Sequence, residues 1–162
     1  MDTGAHRPYT VWMYSSGRLK NNFARPVPLA ETGLILPLAG DKVCAGFPSP
    51  AEDFAVKRID LTEVLITHPQ ATFLLRVSGE SMKDAGIFDG DMLVVNKALK
   101  PCHGHIVVAV VDGEFTVKYL YQRAGRVTLR AANVTFPEIT PKDGQTLEVW
   151  GVVTSCIKRF VS

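Results

Sequence analysis

The sequence predicts a mainly-β domain behind an extended, mobile N-terminal arm, and three observations carry that prediction. Asp112-Gly113 stands between two strand-like runs, His105–Val111 and Glu114–Leu120, and this is the signature of a two-residue hairpin. Further short strand-like runs, Ala71–Val77, Met92–Val95, Arg126–Arg130 and Leu147–Val153, recur between turns rich in Gly and Pro. That spacing fits a barrel-like or sandwich domain from about residue 70 onward. Before it, Pro8, Pro26, Pro28 and Pro37 with Gly4, Gly17, Gly33 and Gly40 break any helical period.

Bulk properties narrow the function. A chain of 162 residues is long enough for one domain with a real core and an arm. Hydrophobic residues make up 46% and charged residues 21%, the balance of an ordinary globular protein. The net charge of +2 comes without a basic stripe, so direct sequence-specific DNA binding is not expected. No apolar run is long enough to cross a membrane, and Met1–Arg7 lacks the pattern of a signal peptide. A cytoplasmic location follows as the expectation. Cys44, Cys102 and Cys156 offer no Cys-x-x-Cys spacing and no disulfide framework. Cys102-His103-Gly104-His105 lacks a second ligand pair for a metal, and nothing marks an orienting partner for a Cys/His nucleophile. No cofactor is expected.

Within the arm, Gly33–Leu38 is apolar but too short for an amphipathic helix, and a helix-turn-helix has no room. In Val43–Pro50, Pro48 and Pro50 push Phe47 and Ser49 toward extended backbone. An extended stretch without helical hydrogen bonds is the form a protease cleft accepts. Asp60-Leu61-Thr62-Glu63 is a capping box, with Asp60 at the N-cap of a short helix that ends before Pro69. The strand Ala71–Val77 stops at Gly79, and Ser81 follows in a turn, where the core holds a side chain firmly while leaving it reachable. The Asp112-Gly113 hairpin sets Val111 against Glu114 and Val107 against Lys118. It places Phe115, Val117 and Tyr119 on one face and Thr116 and Lys118 on the other.

Serine needs a base, and His6, His68, His103 and His105 have no attendant acid at a recognisable spacing. Lysine is the other candidate. Its free pKa near ~10.4 leaves it protonated at neutral pH. A pKa of ~7 to 8 requires an apolar, desolvated position, worth ~4 kcal/mol of differential stabilisation. An apolar hairpin beside a core strand is such a position.

Four stretches together resemble the UmuD branch of the LexA/UmuD self-cleaving proteins. They are Cys44–Pro50, Ser78-Gly79-Glu80-Ser81-Met82, His103–Val107 and Gly113–Lys118, in the family's order and spacing across about residues 35 to 160. The resemblance implies the LexA/UmuD C-terminal-type twisted β-sheet. It implies Ser81 as nucleophile, Lys118 as general base, Ala45-Gly46 as the scissile bond and oxyanion donors at the backbone of Ser81 and a neighbour. Ala45 stands where the best-known UmuD members have Cys, and His105 where an acidic residue is common. By the same resemblance the chain divides into an arm, 1–45, removed by self-cleavage, a linker with a short helix, 46–69, and a Ser-Lys peptidase domain, 70–162. It further implies a homodimer and cleavage stimulated by RecA on single-stranded DNA in the SOS response. The trimmed form would join a UmuC-like subunit of an error-prone translesion polymerase, with the replicative sliding clamp as a further partner.

Three rival readings share some of these residues. A LexA-type repressor would need a DNA-binding headpiece, a signal-peptidase-like enzyme would need a membrane anchor, and a vestigial binding protein would not need Ser81 and Lys118.

Overall fold

The computed structural model describes residues 33–39, 56–142 and 144–161. Most of the expected arm, the Ala45-Gly46 bond and the Cys44–Pro50 stretch lie outside the described residues.

Eight strands and one short α-helix make up the described chain, so the mainly-β expectation is borne out. Strands β1 (Ile35–Ala39) and β2 (Val56–Asp60) pair antiparallel, from Ile35 against Asp60 to Ala39 against Val56. Neither was legible in the sequence: the first fell in the arm and the second in the linker. Pro37 sits in β1, and a two-stranded sheet accommodates it because each strand has a side that needs no ladder donor. Helix α1 (Leu61–Leu65) starts where Asp60 predicts, with the Thr62 N–H donating to Asp60 Oδ1 at 2.8 Å, and it ends before Pro69.

The remaining strands are β3 (Thr72–Arg76), β4 (Met92–Asn96), β5 (Ile106–Val111), β6 (Glu114–Arg123), β7 (Arg126–Arg130) and β8 (Leu147–Ile157). They form one antiparallel sheet in the order β3-β4-β8-β5-β6-β7. β8, last in sequence, thus lies at the middle and joins the β3–β4 pair to the β5–β6–β7 meander. The β5–β6 hairpin has the expected register, Val111 opposite Glu114 and Val107 opposite Lys118. Asp112 and Gly113 take φ of 49° and 88°, positive at both central positions as a two-residue turn of this hand requires.

Two clusters form the core. Met82, Ile87, Leu93, Val95 and Val108 make one, with Phe115, Val117, Tyr119 and Trp150 packed against it. Val107, Ala109, Leu120, Leu129 and Val152 make the other. β6 therefore touches both, through its odd-numbered residues on one side and Leu120 on the other. Its second face is not a solvent face: Lys118 is 6% exposed and Leu120 fully buried. Where β4, β8 and β5 meet, the ladders slip between Val94 and Val95 and between Val108 and Ala109. Gly151 lies beside the second slip, and a Cβ there would stand 2.7 Å from Val95 Cγ1.

Candidate active site

Ser81 is positioned by the strand before it and the core residue after it. β3 is continued by Val77, whose N–H donates to the Asp91 carbonyl at 2.8 Å and whose carbonyl accepts from Gly90 at 3.0 Å. Gly79 then reverses the chain with φ of 91°, its N–H donating to Asp89 Oδ1 at 2.7 Å. Met82, 2% exposed, drops into the first core cluster directly behind Ser81. Its carbonyl accepts from Ala85 and Ile87, closing the 3-10 turn Lys83–Ala85. The turn is thus rigid while Ser81 itself stays half-buried.

Lys118 reaches Ser81 from the middle of β6. Its Nζ lies 2.8 Å from Ser81 Oγ, 3.0 Å from Thr116 Oγ1 and 3.0 Å from the Val117 carbonyl. No carboxylate forms an ion pair with it among the described residues. Burial without a counter-charge disfavours the ammonium and pulls the Lys118 pKa below that of a free lysine. Three contacts also suit a neutral amine, which has two N–H donors and one lone pair. Thr116 Oγ1 and the Val117 carbonyl can take the two donors, and the lone pair then faces the Ser81 hydroxyl. The structure therefore brings together the two side chains that the sequence singled out, across 37 residues of chain.

A cleft of about 320 Å³ opens beside them. Leu75, Val77, Met82, Leu93, Val108 and Phe115 give it apolar walls, and Ser78, Ser81 and Thr116 bring hydroxyls to it. β3 forms one edge of the six-stranded sheet, so its outer backbone groups are not used by that sheet. The N–H groups of Ser81 and Met82 have no acceptor among the described residues.

Sequence reasoning missed what holds the far side of the Ser81 turn. Residues 132–133, just past β7, donate and accept across it: Asp84 N–H to the Ala132 carbonyl at 2.8 Å, Ala132 N–H to Met82 Sδ at 3.4 Å, and Asn133 Nδ2 to the Glu80 carbonyl at 3.0 Å. An Asn in a loop looks like any turn residue until the fold brings it 53 positions back along the chain.

Cys102 and its histidines do other work. Cys102 is exposed, and its N–H donates to His105 Nδ1 at 3.2 Å, while His103 Nδ1 accepts from the Gln122 N–H at 3.1 Å. Among the described residues no three His, Cys, Asp or Glu side chains group to hold a metal ion. No described helix is long and apolar enough to cross a membrane.

The family model described as Peptidase S24-like matches residues 37–154. The chain belongs to the S24 peptidase family. At the level of that family it is a self-cleaving serine peptidase. ImpA of Salmonella typhimurium is 46% identical over 138 residues, covering 85% of this chain and 94% of ImpA. MucA of Escherichia coli is 47% identical over 121 residues, covering 74% and 82%. The LexA repressor of Syntrophotalea carbinolica is 36% identical over 169 aligned positions, covering 98% of this chain and 80% of the repressor. The expected resemblance to the UmuD branch is borne out, and these relatives favour a UmuD-like protein of SOS mutagenesis over a LexA-type repressor.

Proposed function

We propose that the chain is a one-shot Ser-Lys endopeptidase that cuts its own Ala45-Gly46 bond and, once trimmed, serves a translesion polymerase. The observation that carries the reading is the 2.8 Å contact between Lys118 Nζ and Ser81 Oγ at a buried lysine with no counter-charge. Neutral Lys118 takes the proton of the Ser81 hydroxyl, and Oγ attacks the Ala45 carbonyl carbon. The oxyanion that forms is held by backbone N–H groups at Ser81 and Met82, which are free of other acceptors among the described residues. Lys118 returns the proton to the Gly46 nitrogen as the Ala45-Gly46 bond breaks, leaving residue 45 as an ester on Ser81. Water then hydrolyses the ester and restores the hydroxyl, giving fragments 1–45 and 46–162.

The substrate suits the cleft. An extended segment can lie against the edge strand β3 with its backbone paired. Ala45 offers a methyl to the apolar wall, and Gly46 leaves the attacked carbonyl unobstructed. The wider setting rests on the UmuD-like relationship. A RecA filament on single-stranded DNA stimulates the cut, the chain works as a homodimer, and the trimmed form joins a UmuC-like polymerase subunit near the sliding clamp.

The test is direct. The full chain held at pH ~10, where far more of Lys118 is neutral than at pH ~7 because burial lowers its pKa, yields the two fragments with no activator, and mass spectrometry places the new termini at residues 45 and 46. Ser81→Ala and Lys118→Ala each stop the reaction. A cut that persists in Ser81→Ala removes the mechanism.

A further inference from the structure

Asn133 is 4% exposed, in the turn just past β7. Its Oδ1 accepts from the Thr135 N–H at 3.1 Å and the Thr135 hydroxyl at 2.8 Å, an Asx turn that folds 133–135 on itself. Its Nδ2 is used differently, donating 3.0 Å to the Glu80 carbonyl. That carbonyl and the Ser81 N–H are opposite ends of one planar trans peptide unit. Gripping the oxygen on one side therefore fixes the direction of the N–H on the other. A hydrogen bond at the carbonyl end also polarises the amide and strengthens its donor end. The Ser81 N–H has no acceptor of its own among the described residues, so it is available to one that forms during reaction.

We propose that Asn133 is a positioning residue for self-cleavage, holding the Glu80 carbonyl so that the Ser81 N–H is aimed and polarised as an oxyanion donor. The inference rests on the reading of Ser81 as the nucleophile of the Ala45-Gly46 cut. It is separable from general bracing of the turn, because two other bonds already tie the turn downstream of Ser81: Asp84 N–H to the Ala132 carbonyl and Ala132 N–H to Met82 Sδ.

Two variants separate the two ends of the Asn133 side chain. Asn133→Ser keeps the local turn, since a serine hydroxyl accepts from the N–H two residues on, but it is too short to reach Glu80. Asn133→Ala loses both. First-order self-cleavage of the full chain is followed from neutral to alkaline pH, with thermal melting of each variant alongside. Both variants should lower the plateau rate by roughly 10- to 100-fold, less than outright loss of an oxyanion donor. The pH midpoint should stay at the wild-type value, because the surroundings of Lys118 are untouched. A plateau for Asn133→Ser within about twofold of wild type overturns the proposal and reduces Asn133 to a turn former. A midpoint that moves with the rate also overturns it, since Asn133 then acts through Lys118. If Asn133→Ser does not melt cooperatively, Asn133→Asp replaces it, keeping the turn and lacking the N–H donor, and the plateau alone is compared. Wild-type protein that does not cut at Ala45-Gly46, or Ser81→Ala that still does, refutes the underlying reading rather than this part of it.

Discussion

At the scale of the residue, the chemistry turns on the protonation of Lys118. Burial lowers its pKa in the folded chain from the ordinary 10.5. The cleavage rate should therefore rise about tenfold per pH unit below the folded pKa and level off above it, with a midpoint lower than that of a free lysine. A rate profile whose midpoint sits at or above the free value contradicts a desolvated base. Stability carries the same sign. Between the lowered folded pKa and 10.5 the unfolded chain binds a proton that the folded chain has lost. Stability due to this group thus increases as pH rises through that window. Lys118→Met, which removes the buried ammonium, should melt at a higher temperature than wild type at neutral pH, and the gap should narrow toward pH 10. A gap that widens with pH would mean that Lys118 is stabilised as a cation.

At the scale of the element, β8 is what makes one sheet out of two sets of strands. It pairs with β4 on one side and β5 on the other, so its residues meet side chains from both. Gly151 is buried beside the ladder slip, and a methyl there would press on Val95 Cγ1 at 2.7 Å and the Asn96 carbonyl at 3.4 Å. Gly151→Ala should destabilise the protein by roughly 1 to 3 kcal/mol, the usual range for overpacking a core, seen as a lower urea midpoint at unchanged slope. An unchanged midpoint would show that β8 and β4 can move apart freely. The same junction matters to the site, because Val95 packs with Met82 in the first core cluster and Met82 sets the height of Ser81. Some loss of cleavage rate should accompany the loss of stability.

At the scale of the molecule, cleavage would separate two parts held together unequally. β1 pairs with β2 alone and adds no strand to the six-stranded sheet. Leu34, Ile35, Leu36 and Leu38 are all largely exposed. Beyond the ladder, the Leu34 carbonyl accepts from Leu61 N–H at 2.8 Å and its N–H donates to Thr62 Oγ1 at 3.2 Å. An isolated two-stranded ladder is marginal in water. Continuity through residues 40–55 keeps the ends at an effective concentration in the millimolar range, and the cut abolishes that advantage. Fragment 1–45 should therefore elute apart from 46–162 on size exclusion at micromolar concentration. The larger fragment should keep a melting temperature within about 5 °C of the intact chain, because the six-stranded sheet is untouched. Co-elution of the fragments would show contacts beyond the β1–β2 ladder.

The hairpin, its register and the Asp60 cap were legible in the sequence because each is decided by neighbours: Asp112-Gly113 dictates its own turn, and Asp60 caps the N–H two positions on. Ser81 and Lys118 were each legible as candidates, but their pairing rested on the resemblance of four stretches to the UmuD branch. What the tertiary structure alone decided is everything that depends on chain segments far apart. β2 was hidden because Val56–Asp60 carries three charged side chains, Lys57, Arg58 and Asp60, and becomes a strand through its partner β1. Lys118 read as the polar side of a strand, and only packing from both clusters makes that side dry. Asn133 carried no signal, because a hydrogen bond across 53 residues has no trace in local composition. The amino-acid order thus determines which groups stand ready for chemistry, and long-range packing decides how dry, how close and how firmly held they are.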